Sequence, residues 1–128
     1  MVAVTPDIAG QEKLPPSVSR PVAVDALPWH PTPFPGIEQK ILFRDEARGL
    51  MTALVRMRAG ARLPLHEHMD IEQTYVLEGS LADDEGNEIA AGDFIWRPQG
   101  HQHVAWSPKG ALLIGIFLQP NRFIEPAE

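Results

Sequence analysis

Four of the five histidines in this 128-residue sequence fall into two pairs, His66/His68 and His101/His103, each pair separated by one residue. On a β-strand, residues i and i+2 point to the same face, so His66 and His68 can aim two imidazoles at one point. A metal ion is the natural object there, because imidazole nitrogen suits divalent first-row metals. Glu72 follows a short Met69-Asp70-Ile71 corner that can return a carboxylate to the same place. His103 would have to arrive from a second, distant strand, and spacing alone does not bring it there. The chain has no cysteine, so disulfides, zinc ribbons, iron–sulfur sites and thiol nucleophiles are excluded, and any metal must be held by imidazole and carboxylate.

The elements that must position these side chains read as strands. Ile41 to Phe43, Gly49 to Met57, Thr74 to Leu77, Phe94 to Trp96, Val104 to Trp106 and Ala111 to Leu118 are rich in β-branched, aromatic and aliphatic residues, and too short for typical helices. Asp83 to Asn87 combines acidic and turn-forming residues between two such runs, as a hairpin requires. No amphipathic helical pattern of convincing length is present. The expected fold is an all-β sandwich or barrel, closed or double-layered so that few strand edges stay open. Eight of the thirteen prolines lie within the first 35 residues, which predicts an extended N-terminal arm over residues 1–35, laid against the body by Trp29 and Phe34. A single domain is expected over residues 36–128.

The hydrophobic share of 44% and charged share of 22% are those of a globular chain. Net charge is −6 and the pI about 5.3, so the overall field repels nucleic acid and anionic membrane, and neither is an expected partner. No apolar stretch approaches the roughly 20 residues that span a bilayer, and the start lacks the charged-then-apolar order of a signal peptide. A cytoplasmic location is expected.

Two blocks of residues resemble the motifs of the cupin superfamily, whose small β-barrel is a jelly roll, a double-stranded β-helix. Gly60, His66, His68, Glu72 and Gly79 reproduce the first motif without deviation. Gly92, Pro98, Gly100 and His103 match the second, where Ser107 replaces the family's Asn. Within the superfamily the sequence is similar to cupins related to ChrR-type anti-sigma factors and to small dioxygenases that cleave diketones. The resemblance implies that His66, His68, Glu72 and His103 are the metal ligands. The diketone-cleaving relatives use three histidines only, so Glu72 is either a ligand or a neighbouring hydrogen-bond acceptor. Gly79 and Gly92 are expected at strand ends with positive φ, and Pro98-Gln99-Gly100 forms a turn leading to His103.

Four protein ligands on a six-coordinate metal leave two adjacent positions open, enough for a bidentate substrate or for substrate and dioxygen. The resemblance therefore implies a non-haem iron(II) dioxygenase acting on a small oxygen-bearing substrate such as a diketone, with zinc, nickel or manganese as alternative metals. A zinc-binding regulatory or sensing cupin is the alternative from another class, but the anti-sigma factors add a helical domain, and this chain shows no helical pattern. A non-redox isomerase would need a base, for which only Glu72, His101 and Tyr75 are candidates. Homodimers are expected by the same likeness. Around the site, His101, Ser107, Tyr75 and Trp96 are candidates for the pocket or for supporting contacts to the ligands. Phe94, Trp106 and Phe117 are expected in the core. Glu67 should face away from the histidines. Arg56, Arg58, Arg62 and Arg97 are expected on a solvated outer face, the competing reading being that they attract an anionic substrate to the barrel mouth.

Overall fold

The computed structural model describes residues 3–125. Its strands are β1 (His30–Pro31), β2 (Ile37–Asp45), β3 (Leu50–Met57), β4 (Arg62–Glu67), β5 (Glu72–Asp83), β6 (Glu88–Ala90), β7 (Phe94–Arg97), β8 (Gln102–Trp106), β9 (Ala111–Phe117) and β10 (Arg122–Phe123). All pair antiparallel in the order β1-β2-β3-β9-β5-β8-β4-β10, with β6 and β7 also on β5. The first half of β5 pairs with β7 and β9, and its last residues pair with β6 and β8. One long strand thus belongs to both layers, and the sheet curls around it. This is the all-β double-stranded β-helix expected.

The path of β5 depends on glycine. Register shifts between Val76 and Glu78, and Gly79 adopts φ 73°. A Cβ there would sit 1.8 Å from the carbonyl oxygen of Gly110. No side chain fits, so Gly79 serves the close approach of β5 to Gly110, just past the bulge at Leu77 and inside a strand rather than at a strand end.

Ile37, Met57, Val76, Leu81, Ile89 and Leu113 fill the space between the layers. Each removes most of an aliphatic side chain from water, worth about 1.5–3 kcal/mol apiece. The alternation on β5 and β7 corrects the expectation for the aromatic residues. Thr74, Val76 and Arg97 are buried, whereas Tyr75, Phe94 and Trp96 are 43%, 53% and 59% exposed. Tyr75 pairs with Phe94 across the two strands on the outer face, with Trp96 two residues along the same strand. Neither Tyr75 nor Trp96 walls the interior, because the inner positions of β7 go to Ile95 and Arg97.

The segment ahead of β1 has two short 3₁₀ turns, Gln11–Lys13 and Val24–Ala26, and a bridge from Val4 to Arg44. Trp29 lies between the Lys40 ammonium, 4.9 Å from its ring centroid, and the Arg56 guanidinium, at 4.1 Å. Such contacts contribute about 0.5–2 kcal/mol each. Lys40 also donates to the carbonyl of Val24. Phe34 packs on the core and on Phe123. Among the described residues no helix is long and apolar enough to cross a membrane.

Candidate metal centre

β4 and β8 lie side by side with His66 opposite His103 in register. The pairing is irregular between Leu63 and His66, where Pro64 and Leu65 drop out of the ladder. Just beyond β4, the N–H of His68 donates to the carbonyl of His101, and the N–H of Gly100 donates to the carbonyl of His68. The turn before β8 therefore clamps His68 beside the other two rings. His66, His68 and His103 are 1%, 0% and 2% exposed. One ring nitrogen from each lies within 4.8 Å of the others. Glu67 faces the other way and pairs with Arg122.

The protonation pattern of His66 follows from its partner. Its Nδ1 lies 2.7 Å from the carbonyl oxygen of Pro64, which can only accept, so Nδ1 carries the proton and Nε2 keeps its lone pair. The Nε2 atoms of His68 and His103 are 2.8 Å apart. Burial lowers the pKa of all three rings, that of His68 to about 3 and that of His103 to about 2. For His103 the positive charge of Arg97 adds to burial, and for His68 the neighbouring His66 does so. His103 Nδ1 is buried without a hydrogen-bond partner. Three neutral imidazoles with converging nitrogens in a buried interior form a donor set that fits a divalent first-row metal.

Glu72 stands outside that triad. Its Oε2 is 3.6 Å from His68 Nδ1, on the side of the ring away from Nε2. At that distance it makes no hydrogen bond, and His68 Nδ1, like His103 Nδ1, is buried without a partner. Burial pushes the Glu72 carboxyl up to about 7, against the pull of Arg97.

The arginine was not foreseen at the site. Arg97 is 2% exposed, contrary to the expectation of a solvated outer face. Its Nη1 is 2.7 Å from Asp83 and 3.6 Å from Glu85, and its Nε is 4.0 Å from Glu72. Arg56 does face outwards and pairs with Glu38 at 2.7 Å. His101 stacks parallel to His68 with centroids 6.1 Å apart, and its Nε2 is 3.1 Å from Glu85, so it lies beside the triad and not within it. Ser107 is fully buried but does not reach the rings; its hydroxyl donates to the carbonyl of Ser80 at 2.7 Å. At the family's Asn position it ties β8 to β5.

Two adjoining cavities lead to the rings. The inner one, about 50 Å³, is walled by His66, His103, Glu72, Arg97 and aliphatic residues. The outer one, about 400 Å³, is walled by Phe34, Met51, Phe117 and Phe123 among others. They share Val55, Leu63, Glu72 and Phe117 as common wall. Phe123 lies across from His66 in register, its ring 5.1 Å from the imidazole. No pattern in the sequence marked Phe123, since only a two-residue strand carries it.

Residues 19–121 match the family model of the ChrR cupin-like domain. A search of curated proteins finds no match. Among solved structures, a candidate acetylacetone dioxygenase from Methylibium petroleiphilum PM1 is similar at TM-score 0.78 and 22% identity, over 85% of this chain and 83% of that one. An acetylacetone dioxygenase from Acinetobacter johnsonii is similar at TM-score 0.73 and 19% identity, over 85% and 78%. The polyketide cyclase RemF from Streptomyces resistomycificus reaches TM-score 0.66 at 19% identity, over 87% and 89%. At these identities the likeness concerns the fold.

Proposed function

Because the chain belongs to the ChrR cupin-like domain family, we propose that it is a small metal-dependent dioxygenase cleaving an organic substrate with neighbouring oxygens, such as a diketone. The observation that carries this reading is the buried triad of neutral histidines, two of which, His66 and His103, line the inner cavity. His66, His68 and His103 would hold the metal, with Glu72 beside His68. An iron(II) ion held there would supply the redox chemistry, chelating neighbouring substrate oxygens and exchanging electrons with dioxygen.

The protein's own residues do the rest. Pro64 fixes the His66 tautomer so that its lone pair faces inwards. Burial keeps the second proton off each of the three rings, so each ring stays neutral at neutral pH. Phe117 and Leu63 keep bulk water from the inner cavity, which strengthens electrostatic contacts there. Cleavage of one carbon–carbon bond of a diketone with uptake of one dioxygen balances without another reductant, both oxygen atoms entering the two carbonyl products.

Pairing of two copies belongs to the same proposal. Tyr75, Leu77, Phe94, Trp96 and Ile116 are exposed large apolar side chains on neighbouring strands, and the same apolar patch of a second copy is a complementary partner for them.

The test is oxygen uptake. Protein loaded anaerobically with iron(II) should consume oxygen only when a diketone is added, and zinc-loaded protein should not. Zinc bound from the native host, with no uptake by the iron form, would instead indicate a sensing cupin.

A further inference from the structure

The inner cavity, about 50 Å³, has room for little more than one or two water-sized groups, each taking about 30 Å³ in the liquid. A substrate body does not fit beside the histidines. The outer cavity, about 400 Å³, lies in the range of about 300–1,000 Å³ that encloses drug-sized ligands. Of its four charged lining residues, Arg44 and Glu46 pair with each other and are 41% and 54% exposed, which places them at the rim; Asp45 pairs with Arg48, and Glu72 stands in the wall shared with the inner cavity. The wall towards the metal centre is aromatic. Phe34 and Phe123 rings lie 4.7 Å apart, and Phe123 continues to His66 at 5.1 Å. Phe117 faces both cavities.

We propose that the ligand spans both spaces: an oxygen-bearing head enters the inner cavity, and an aromatic body, larger than any short-chain diketone, lies in the outer chamber against Phe34, Phe117 and Phe123. This rests on the reading of the histidine triad as the place where the head is held. Phe34 and Phe123 are specificity-determining residues, contributed by the segment ahead of β2 and by β10. A flat ring slots against this row by offset or edge contacts, which favours an aryl group over an alkyl chain of equal volume.

Calorimetric titration of zinc-loaded protein, which cannot turn over, tests the proposal with three probes: 1-phenylbutane-1,3-dione, pentane-2,4-dione and the mono-ketone 4-phenylbutan-2-one. The phenyl diketone should bind about tenfold or more tighter than pentane-2,4-dione, as burial of a ring with aromatic contacts implies. Phe123→Ala should reduce that ratio to about threefold or less, and Phe34→Ala, which leaves β10 intact, should act in the same direction. Equal affinities for the two diketones in the wild type would overturn the chamber while leaving the dioxygenase reading in place. Binding of the phenyl mono-ketone alone would uphold the chamber and remove the diketone reading. Binding of none of the probes would overturn both.

Discussion

The Arg97 guanidinium and the Asp83 carboxylate meet at 2.7 Å with side chains 3% and 0% exposed, a buried ion pair beside the histidine triad. The other Asp83 contacts come from the hairpin: its Oδ1 accepts from the N–H groups of Glu85 and Asn87, and its Oδ2 accepts from the Asn87 amide. Arg97 faces Glu72 on its other side. The pair thus joins the β5–β6 turn to the inner cavity.

Removing the arginine alone leaves a buried carboxylate without its cation. Arg97→Met should lower stability by about 3–5 kcal/mol, and the double variant Arg97→Met/Asp83→Asn should recover much of the loss. Urea unfolding of the two variants measures both effects. A loss below 1 kcal/mol in the single variant would refute the pair as a structural contact.

Acid should act through the same carboxyl. Burial alone would raise the Asp83 pKa, but hydrogen bonds from Asn87 and Arg97 overcome that and hold it at about 2, below the ordinary 3.8. A depressed carboxyl pKa means stability that is whole above the ordinary value and lost as pH falls through the depressed one. The contribution is about 2 kcal/mol, disappearing between pH 4 and 2. Unfolding midpoints across that window should fall for the wild type and stay flatter for Asp83→Asn.

Metal binding should require the three rings and tolerate change at Glu72. His66→Ala and His103→Ala should each fall from about one bound ion per chain to near none with circular dichroism unchanged, since three donors are the minimum of a protein-held site. Glu72→Gln should keep the stoichiometry and weaken affinity about 10–100-fold, as loss of a carboxylate next to a ligand does. Elemental analysis after dialysis against a graded chelator reads both outcomes. Complete loss of metal in Glu72→Gln would make Glu72 a ligand.

The outer face predicts assembly. Light scattering should give the wild type the mass of two chains and the Phe94→Glu/Trp96→Glu variant that of one, because four charges would meet across the paired faces. A wild type that runs as a single chain at micromolar concentration would refute the pairing.

His66 and His68 were legible because a spacing of two keeps them on one side, whereas His103 was reached only through its match to the second cupin motif, since spacing does not join distant strands; Gly79 lies where no other residue fits. The faces of β7 were not legible. Phe94-Ile95-Trp96-Arg97 alternates, but alternation does not say which side is inner, and hydrophobicity favours the aromatic side. The structure takes the other side because Asp83, fourteen residues away from Arg97 along the chain, neutralises the buried cation. β4 was hidden by Pro64 in its middle, and β5 runs from Glu72 to Asp83, beyond the Thr74 to Leu77 run that composition marks. Glu72 was left open between two roles, and its place at Nδ1 of His68 depends on a corner that no residue count fixes.

Where Pro64 and Leu65 step out of register, a carbonyl is set loose from the strand and turned onto the ring two residues later. A half-turn of that ring would press carbon against the oxygen and forfeit a bond worth about 1 kcal/mol, with a further cost for the stranded acceptor. The imperfection in the ladder therefore works as a keyway, favouring one orientation of the imidazole and keeping the same nitrogen free of the strand.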